Sequence, residues 1–245
     1  MIYSGFMLHG LYEYLTFGKE HSPVLYIALT LACIIIPYLI GSFNFAVIIS
    51  KSRYGEDIRT KGSGNGGTTN MQRTYGNRAA VFTMVGDMLK AVVAVTVGCA
   101  LMGLVEGGYM AAFFCVLGHM FPLYYRFKGG KGVATSAAAM LMLNPVVFFV
   151  ILFVFVFIVF STKYVSLGSV MAALLYPVIL HRINTITVEW YKANGIMWGS
   201  DVIFAFLMAM MVVFMHRSNI KRLMNHTESK LSIGKKKENS ENENK

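Results

Sequence analysis

The chain has 245 residues, 56% of them hydrophobic and 14% charged, with a mean hydropathy of +0.55. A water-soluble domain carries about a quarter charged residues, so an ordinary soluble fold is excluded. The net charge of +10 lies beside apolar runs, which points to membrane topology and anionic ligands and away from nucleic acid.

Residues 1–22 hold aromatics and few charges and read as an N-terminal extension lying at the membrane interface. They lack a basic n-region, so no cleavable signal peptide is expected. Seven apolar runs follow, at 24–50, 79–102, 108–125, 131–143, 145–162, 165–182 and 200–217. About 20 apolar residues cross the hydrocarbon as a helix. The runs are continuous and do not alternate, which argues against strands. The predicted fold is therefore an all-α integral membrane bundle of about seven transmembrane helices, with residues 23–233 as one domain. Pro37 is placed to kink the first span. Trp190 and Trp198 fit an interfacial belt. Residues 234–245, with Lys235, Lys236 and Lys237, read as a disordered polar tail. Cys33, Cys99 and Cys115 each sit in an apolar run and read as small buried residues.

The basic residues choose an orientation. The loop 51–78, the turn 126–131, Lys163 and everything after His216 hold 18 of the 22 lysines and arginines. The positive-inside rule puts that side in the cytoplasm, with the N-terminus outside and the C-terminus inside.

Chemistry concentrates on that side. In Lys61-Gly62-Ser63-Gly64-Asn65-Gly66-Gly67-Thr68-Thr69-Asn70, followed by Arg73, four glycines in six residues let amides line a concavity for phosphate. Ser63, Thr69 and Asn70 add neutral hydrogen bonds, and Arg73 a forked cation. A flexible loop is the plainer reading. A nucleotide P-loop is excluded because Thr68 and Thr69 stand where Lys and Ser/Thr belong. Phe127-Lys128-Gly129-Gly130-Lys131-Gly132 opens a span, where free amides, the helix dipole and two lysines favour an anion. Topological flanking would explain the lysines but not the glycines. Ser166 and Ser169 share a helix face, as do His216 and Asn219. Asp87 and Lys90, three apart in an apolar run, serve either as a functional pair or as a structural bridge. His119 is placed to brace the second glycine loop.

In this order and spacing the segments resemble the bacterial acyl-phosphate:glycerol-3-phosphate acyltransferase family. The resemblance runs from about Ile36 and includes Gly62-Ser63-Gly64-Asn65 with Thr69-Asn70 and Arg73, Gly118-His119 through Thr135, and Tyr164 to Ser169. It ends in His216-Arg217-x-Asn219-Ile220, Arg222-Leu223 and Thr227-Glu228. The family's first motif has a proline where Gly66 stands, and its loss is expected to loosen the loop. The resemblance implies a seven-helix bundle of a bacterial inner membrane and one cytoplasm-facing pocket. In it Ser63, Lys131, His216 and Asn219 are expected to be catalytic. Gly62, Asn65, Thr69, Asn70, Arg73, Lys128, Gly129, Gly130, Gly132, Ser166 and Ser169 are expected to bind phosphate.

Acyl phosphate is an activated anhydride, and no Ser-His-Asp or Cys-His arrangement calls for an acyl-enzyme. The expected reaction is direct attack by the 1-hydroxyl of glycerol 3-phosphate, giving lysophosphatidic acid, the first acylation of phospholipid synthesis. No cofactor or metal is expected, since no carboxylate cluster suggests one. Expected partners are the two substrates, membrane lipid, the enzyme that makes acyl phosphate and the second acyltransferase. An organic-phosphate transporter is the alternative, disfavoured because no internal repeat is visible. An acyl-CoA enzyme would carry His-x-x-x-x-Asp, which is absent.

Overall fold

In a computed structural model, residues 5–16, 22–187 and 199–231 are described. Trp190, Trp198 and the tail from 234 lie outside them. Every regular element among the described residues is helical.

The short helix α1 (Gly5–Thr16) belongs to the N-terminal extension. Ser22 caps α2 (Pro23–Gly41), with Pro23 in the first turn, where a missing N–H costs nothing. Asn44 caps α3 (Phe45–Tyr54) through the Val47 amide at 3.0 Å. The amphipathic α4 (Thr68–Tyr75) precedes the long α5 (Asn77–Met102) and α6 (Tyr109–Met120). Then come α7 (Val133–Leu143), α8 (Pro145–Thr162, capped by Asn144) and α9 (Val165–Thr187). Helices α10 (Ser200–Met215) and α11 (Arg217–Met224) meet at His216 with a 57° bend.

Four helical runs are long and apolar enough to cross a bilayer: Pro23–Tyr54, Asn77–Tyr125, Pro145–Thr162 and Val165–Ile186. The bent pair α10–α11 makes a fifth. The chain is thus a multi-pass helical membrane protein, with four or five such runs where the sequence predicted seven. Two local features account for the difference. The run 77–125 is a hairpin: Gly98 meets Gly107 and Ala111, while Lys90 meets His119, so numbers fall along α5 as they rise along α6. A π-helical stretch, Gly103–Gly108, closes it, entered through Gly103 at φ 79°. The predicted span 131–143 is realised as the 11-residue α7. At 1.5 Å per residue it covers roughly 16 Å, about half the hydrocarbon thickness. It begins beside Val116 and Met120, inside the bundle, and ends beside Gly108.

Small residues bring the helices together. The core joins Ala91, Ala94, Ala112, Cys115, Ala138 and Ala205. Where α2 crosses α6, a Cβ on Gly41 would stand 2.1 Å from the Cys115 carbonyl oxygen. All three cysteines are buried and free, as expected. Inside the hairpin, Lys90 Nζ lies 2.8 Å from Asp87 Oδ1 and 2.9 Å from His119 Nδ1, and it donates to the Phe43 carbonyl at 2.6 Å. The pair therefore forms a buried bridge between α5, α6 and the α2–α3 turn.

Candidate active site

Four segments far apart in sequence meet at one end of this bundle. The first is the loop between α3 and α4. Asp57 forks onto Arg59 at 2.9 and 2.7 Å. Hydrogen bonds from the Arg59 side chain hold the Asp57 carboxyl down to about 2, against the opposing effect of burial. The guanidinium reaches on to the carbonyls of Tyr125 (2.7 Å) and Lys128 (3.1 Å), lashing this loop to the second one. Asn70 shapes the turn. Its Oδ1 accepts from the Ser63 amide at 3.0 Å, and its Nδ2 faces the carbonyls of Ile58, Lys61 and Asn65 at 3.0–3.1 Å. Gly62, at φ 54°, leaves room for that amide, since a Cβ there would stand 2.3 Å from Asn70 Oδ1. With its amide so engaged, Asn70 holds the loop. Ser63, Thr69 and Arg73 are exposed.

The second segment runs from Phe121 to Gly132. The amides of Gly129 and Gly130 donate to the Met120 and His119 carbonyls, each at 3.1 Å. A Cβ on Gly130 would lie 2.1 Å from His119 Nε2, so the imidazole stands directly against this loop and braces it, as expected. Gly66 N–H donates to the Gly129 carbonyl at 3.3 Å, and Asn44 Nδ2 donates to the Gly66 carbonyl at 3.1 Å. A proline at position 66 has no N–H to make the first bond. The anticipated loosening is thus offset by a direct tie between the two glycine loops. Gly132, at φ 79°, precedes α7, and no side chain caps that helix. Its first-turn amides therefore keep their capacity for an anion. The Thr135 hydroxyl in that turn is fully buried and has no partner among the described residues.

The third and fourth segments are the start of α9 and the α10–α11 bend with the strand of chain after it. Lys131 Nζ donates to Asn219 Oδ1 at 2.5 Å. Asn219 Nδ2 donates to Glu228 Oε1 at 2.7 Å, and Ser166 Oγ donates to the same oxygen at 2.9 Å. Arg222 Nε donates to Glu228 Oε2 at 2.7 Å. The Leu231 amide donates to the Lys163 carbonyl at 2.7 Å, folding the C-terminal segment back onto α9. Burial pushes the Glu228 carboxyl up, but the bonds from Asn219, Arg222 and Ser166 outweigh it and hold it below the usual range. Burial pulls Lys131 down to about 8; Glu228 opposes this, while the charges of Arg222 and Arg73 add to it. Lys131 thus lies within electrostatic reach of Arg73, Arg222 and Glu228. His216 is buried at the bend, its Nδ1 2.8 Å from the Val212 carbonyl. A carbonyl only accepts, so Nδ1 carries the hydrogen and Nε2 keeps its lone pair.

Of the expected residues, Lys131, Asn219 and Ser166 share one hydrogen-bonded network, and Gly66 joins the loops that carry Ser63 and Gly129. Ser169 instead donates to the Val165 carbonyl of its own helix at 2.9 Å. Lys128 is exposed and Asn65 half-buried. The sequence reading did not assign site roles to Glu228, Arg222 and Arg59. For the first two, the C-terminal signature was the available signal. Beside α7, an apolar groove of about 270 Å³ runs between Val85, Leu89 and Val92 of α5 and Ala138, Leu141 and Met142.

Residues 31–226 match the glycerol-3-phosphate acyltransferase family. Similar proteins include the glycerol-3-phosphate acyltransferase of Clostridioides difficile, 43% identical over 83% of this chain and 95% of that one. That of Thermoanaerobacter sp. is 42% identical over 80% and 93%. Among solved structures, PlsY (YgiH), an integral membrane glycerol 3-phosphate acyltransferase, in its glycerol 3-phosphate form superposes with a TM-score of 0.69 at 30% identity. The alignment covers 83% of this chain and 96% of that one. Its lysophosphatidic acid form gives 0.66 at 28% identity.

Proposed function

The chain belongs to the glycerol-3-phosphate acyltransferase family, and from that premise we propose that it transfers a fatty acyl group from acyl phosphate to the 1-hydroxyl of glycerol 3-phosphate. The products are lysophosphatidic acid and phosphate. The observation that carries this reading is the bonded chain Lys131–Asn219–Glu228–Ser166 beside the tied loops of Gly66 and Gly129. It brings cations to the uncapped first turn of α7 at one end of the bundle, where two phosphoryl groups could be held side by side.

In the proposed reaction, Lys131 and the first-turn amides of α7 hold one phosphate, and Arg73 with Asn219 faces the other. Ser63 orients the attacking hydroxyl or the carbonyl. The hydroxyl oxygen bonds to the acyl carbon, the acyl–phosphate bond breaks, and the proton passes to the departing phosphate or to His216 Nε2. Positioning two anions and stabilising the leaving charge supply the rate. The acyl chain lies in the bilayer, between helices. The site faces the cytoplasm of a bacterial inner membrane, with the N-terminus outside. An acyl-phosphate-forming enzyme supplies the donor, and a second acyltransferase consumes the product.

Purified protein given acyl-labelled acyl phosphate and glycerol 3-phosphate is expected to release one phosphate per lysophosphatidic acid and to carry no label itself. Label retained on Ser63 would overturn direct transfer. The depressed Lys131 adds a pH signature. It is charged below about 8 and neutral above, so kcat/KM for glycerol 3-phosphate is expected to fall as pH rises through that value. In the Lys131→Arg protein that limb disappears, because guanidinium stays protonated, whatever the height of its plateau. Identical profiles for the two proteins would assign the limb elsewhere.

A further inference from the structure

On the outer side of the same end, a cleft of about 260 Å³ opens between α3, α4 and α5, lined by Ile49, Arg53, Tyr54, Tyr75, Arg78 and Phe82 among others. Its two arginines are exposed, and among the described residues neither has an ion-pair or hydrogen-bond partner on its guanidinium. Nearby bases differ. Lys61 pairs with Glu56 at 2.8 Å, while Arg59 and Lys51 pair with Asp57 at 2.7 and 3.5 Å. The neighbouring acids are therefore engaged elsewhere. Tyr75 is fixed by a stacked contact with Tyr54, ring centroids 3.9 Å apart. Its hydroxyl is buried without a partner. Two unpaired forks in one cleft call for a phosphate-like anion.

The surroundings decide which anion. Phe82 forms the apolar lip of the cleft and begins an exposed stripe down α5: Phe82, Val85, Leu89 and Val93. Steps of three and four residues keep them on one helix face. A free phosphate has no use for that stripe. A membrane glycerophospholipid matches both parts, with its headgroup at the arginines and its acyl chains along α5. We infer that this cleft binds the phosphate headgroup of an anionic two-chain phospholipid, at a site separate from that of the reacting substrates.

Native mass spectrometry of the full-length protein in neutral detergent tests this, with phosphatidylglycerol and phosphatidylcholine of the same chains as probes. Phosphatidylglycerol is expected to be retained in preference. Replacing Arg53 and Arg78 by Gln is expected to weaken its retention roughly fivefold per arginine, without lowering the unfolding midpoint. Tyr75→Phe, which keeps the ring stack and removes only a buried hydroxyl, leaves retention unchanged. Lys131→Ala leaves retention unchanged, which separates this cleft from the proposed substrate site. Equal retention of the two lipids, or a double variant that binds like the parent, would overturn the inference. So would displacement of the lipid by excess inorganic phosphate, which would assign the cleft to a free anion.

Discussion

Replacing Lys131 by Ala is expected to lower kcat/KM by about 10²–10³-fold or more, the scale seen when a preorganised charge-stabilising donor is removed. Lys131 stands in the loop before α7 and reaches Asn219 across the end of the bundle. Its removal takes away the cation at α7's open N-terminus and leaves Asn219 without that donor. Lys131 is half-buried and makes no contact that the core of α5, α6 and α10 depends on, so the unfolding midpoint is expected to move little. Arg73, exposed on α4, is expected to give a similar kinetic loss. Steady-state assays beside thermal unfolding in detergent separate the two effects. A Lys131→Ala protein with near-normal turnover would remove this residue from the mechanism.

Glu228→Ala is expected to cost both stability and turnover. Its carboxylate is 6% exposed and accepts from three side chains on two different segments. Deleting one partner of a buried ionic cluster typically costs about 3–5 kcal/mol; Arg222 is 43% exposed, so the lower end of that range is expected. The loss releases Asn219 and Ser166 and detaches the segment that Leu231 tacks onto Lys163. Glu228→Gln keeps the shape and one acceptor oxygen but loses the charge, and is expected to fall between the two. An unchanged unfolding midpoint in Glu228→Ala would mean that the C-terminal segment is held by something else.

Much of this site was legible in the sequence, because glycines interleaved with lysines have few other uses beside an apolar run. Those segments do meet at one end. Three things were not legible. Glu228 stood in the C-terminal signature, but its bond from Ser166, 62 residues away, could be seen only in the fold. Asn70 looked like a ligand donor, but its amide is turned into its own loop by the left-handed Gly62. The short reach of α7 was hidden as well: the hairpin of α5 and α6 matches the separate runs 79–102 and 108–125, but the run 131–143 yields only an 11-residue helix that starts inside the bundle. The exchange of proline for Gly66 could be seen in the sequence, but its consequence depended on a carbonyl 63 residues away, that of Gly129.

Donor choice puts the whole account to its hardest trial. The purified protein, supplied with glycerol 3-phosphate and either palmitoyl phosphate or palmitoyl-CoA in chelator, is expected to make lysophosphatidic acid from the phosphate donor alone. Product formed only from the thioester would mean that the cationic glycine hollows do not grip a pair of phosphoryl groups, and the proposed chemistry would fall with them.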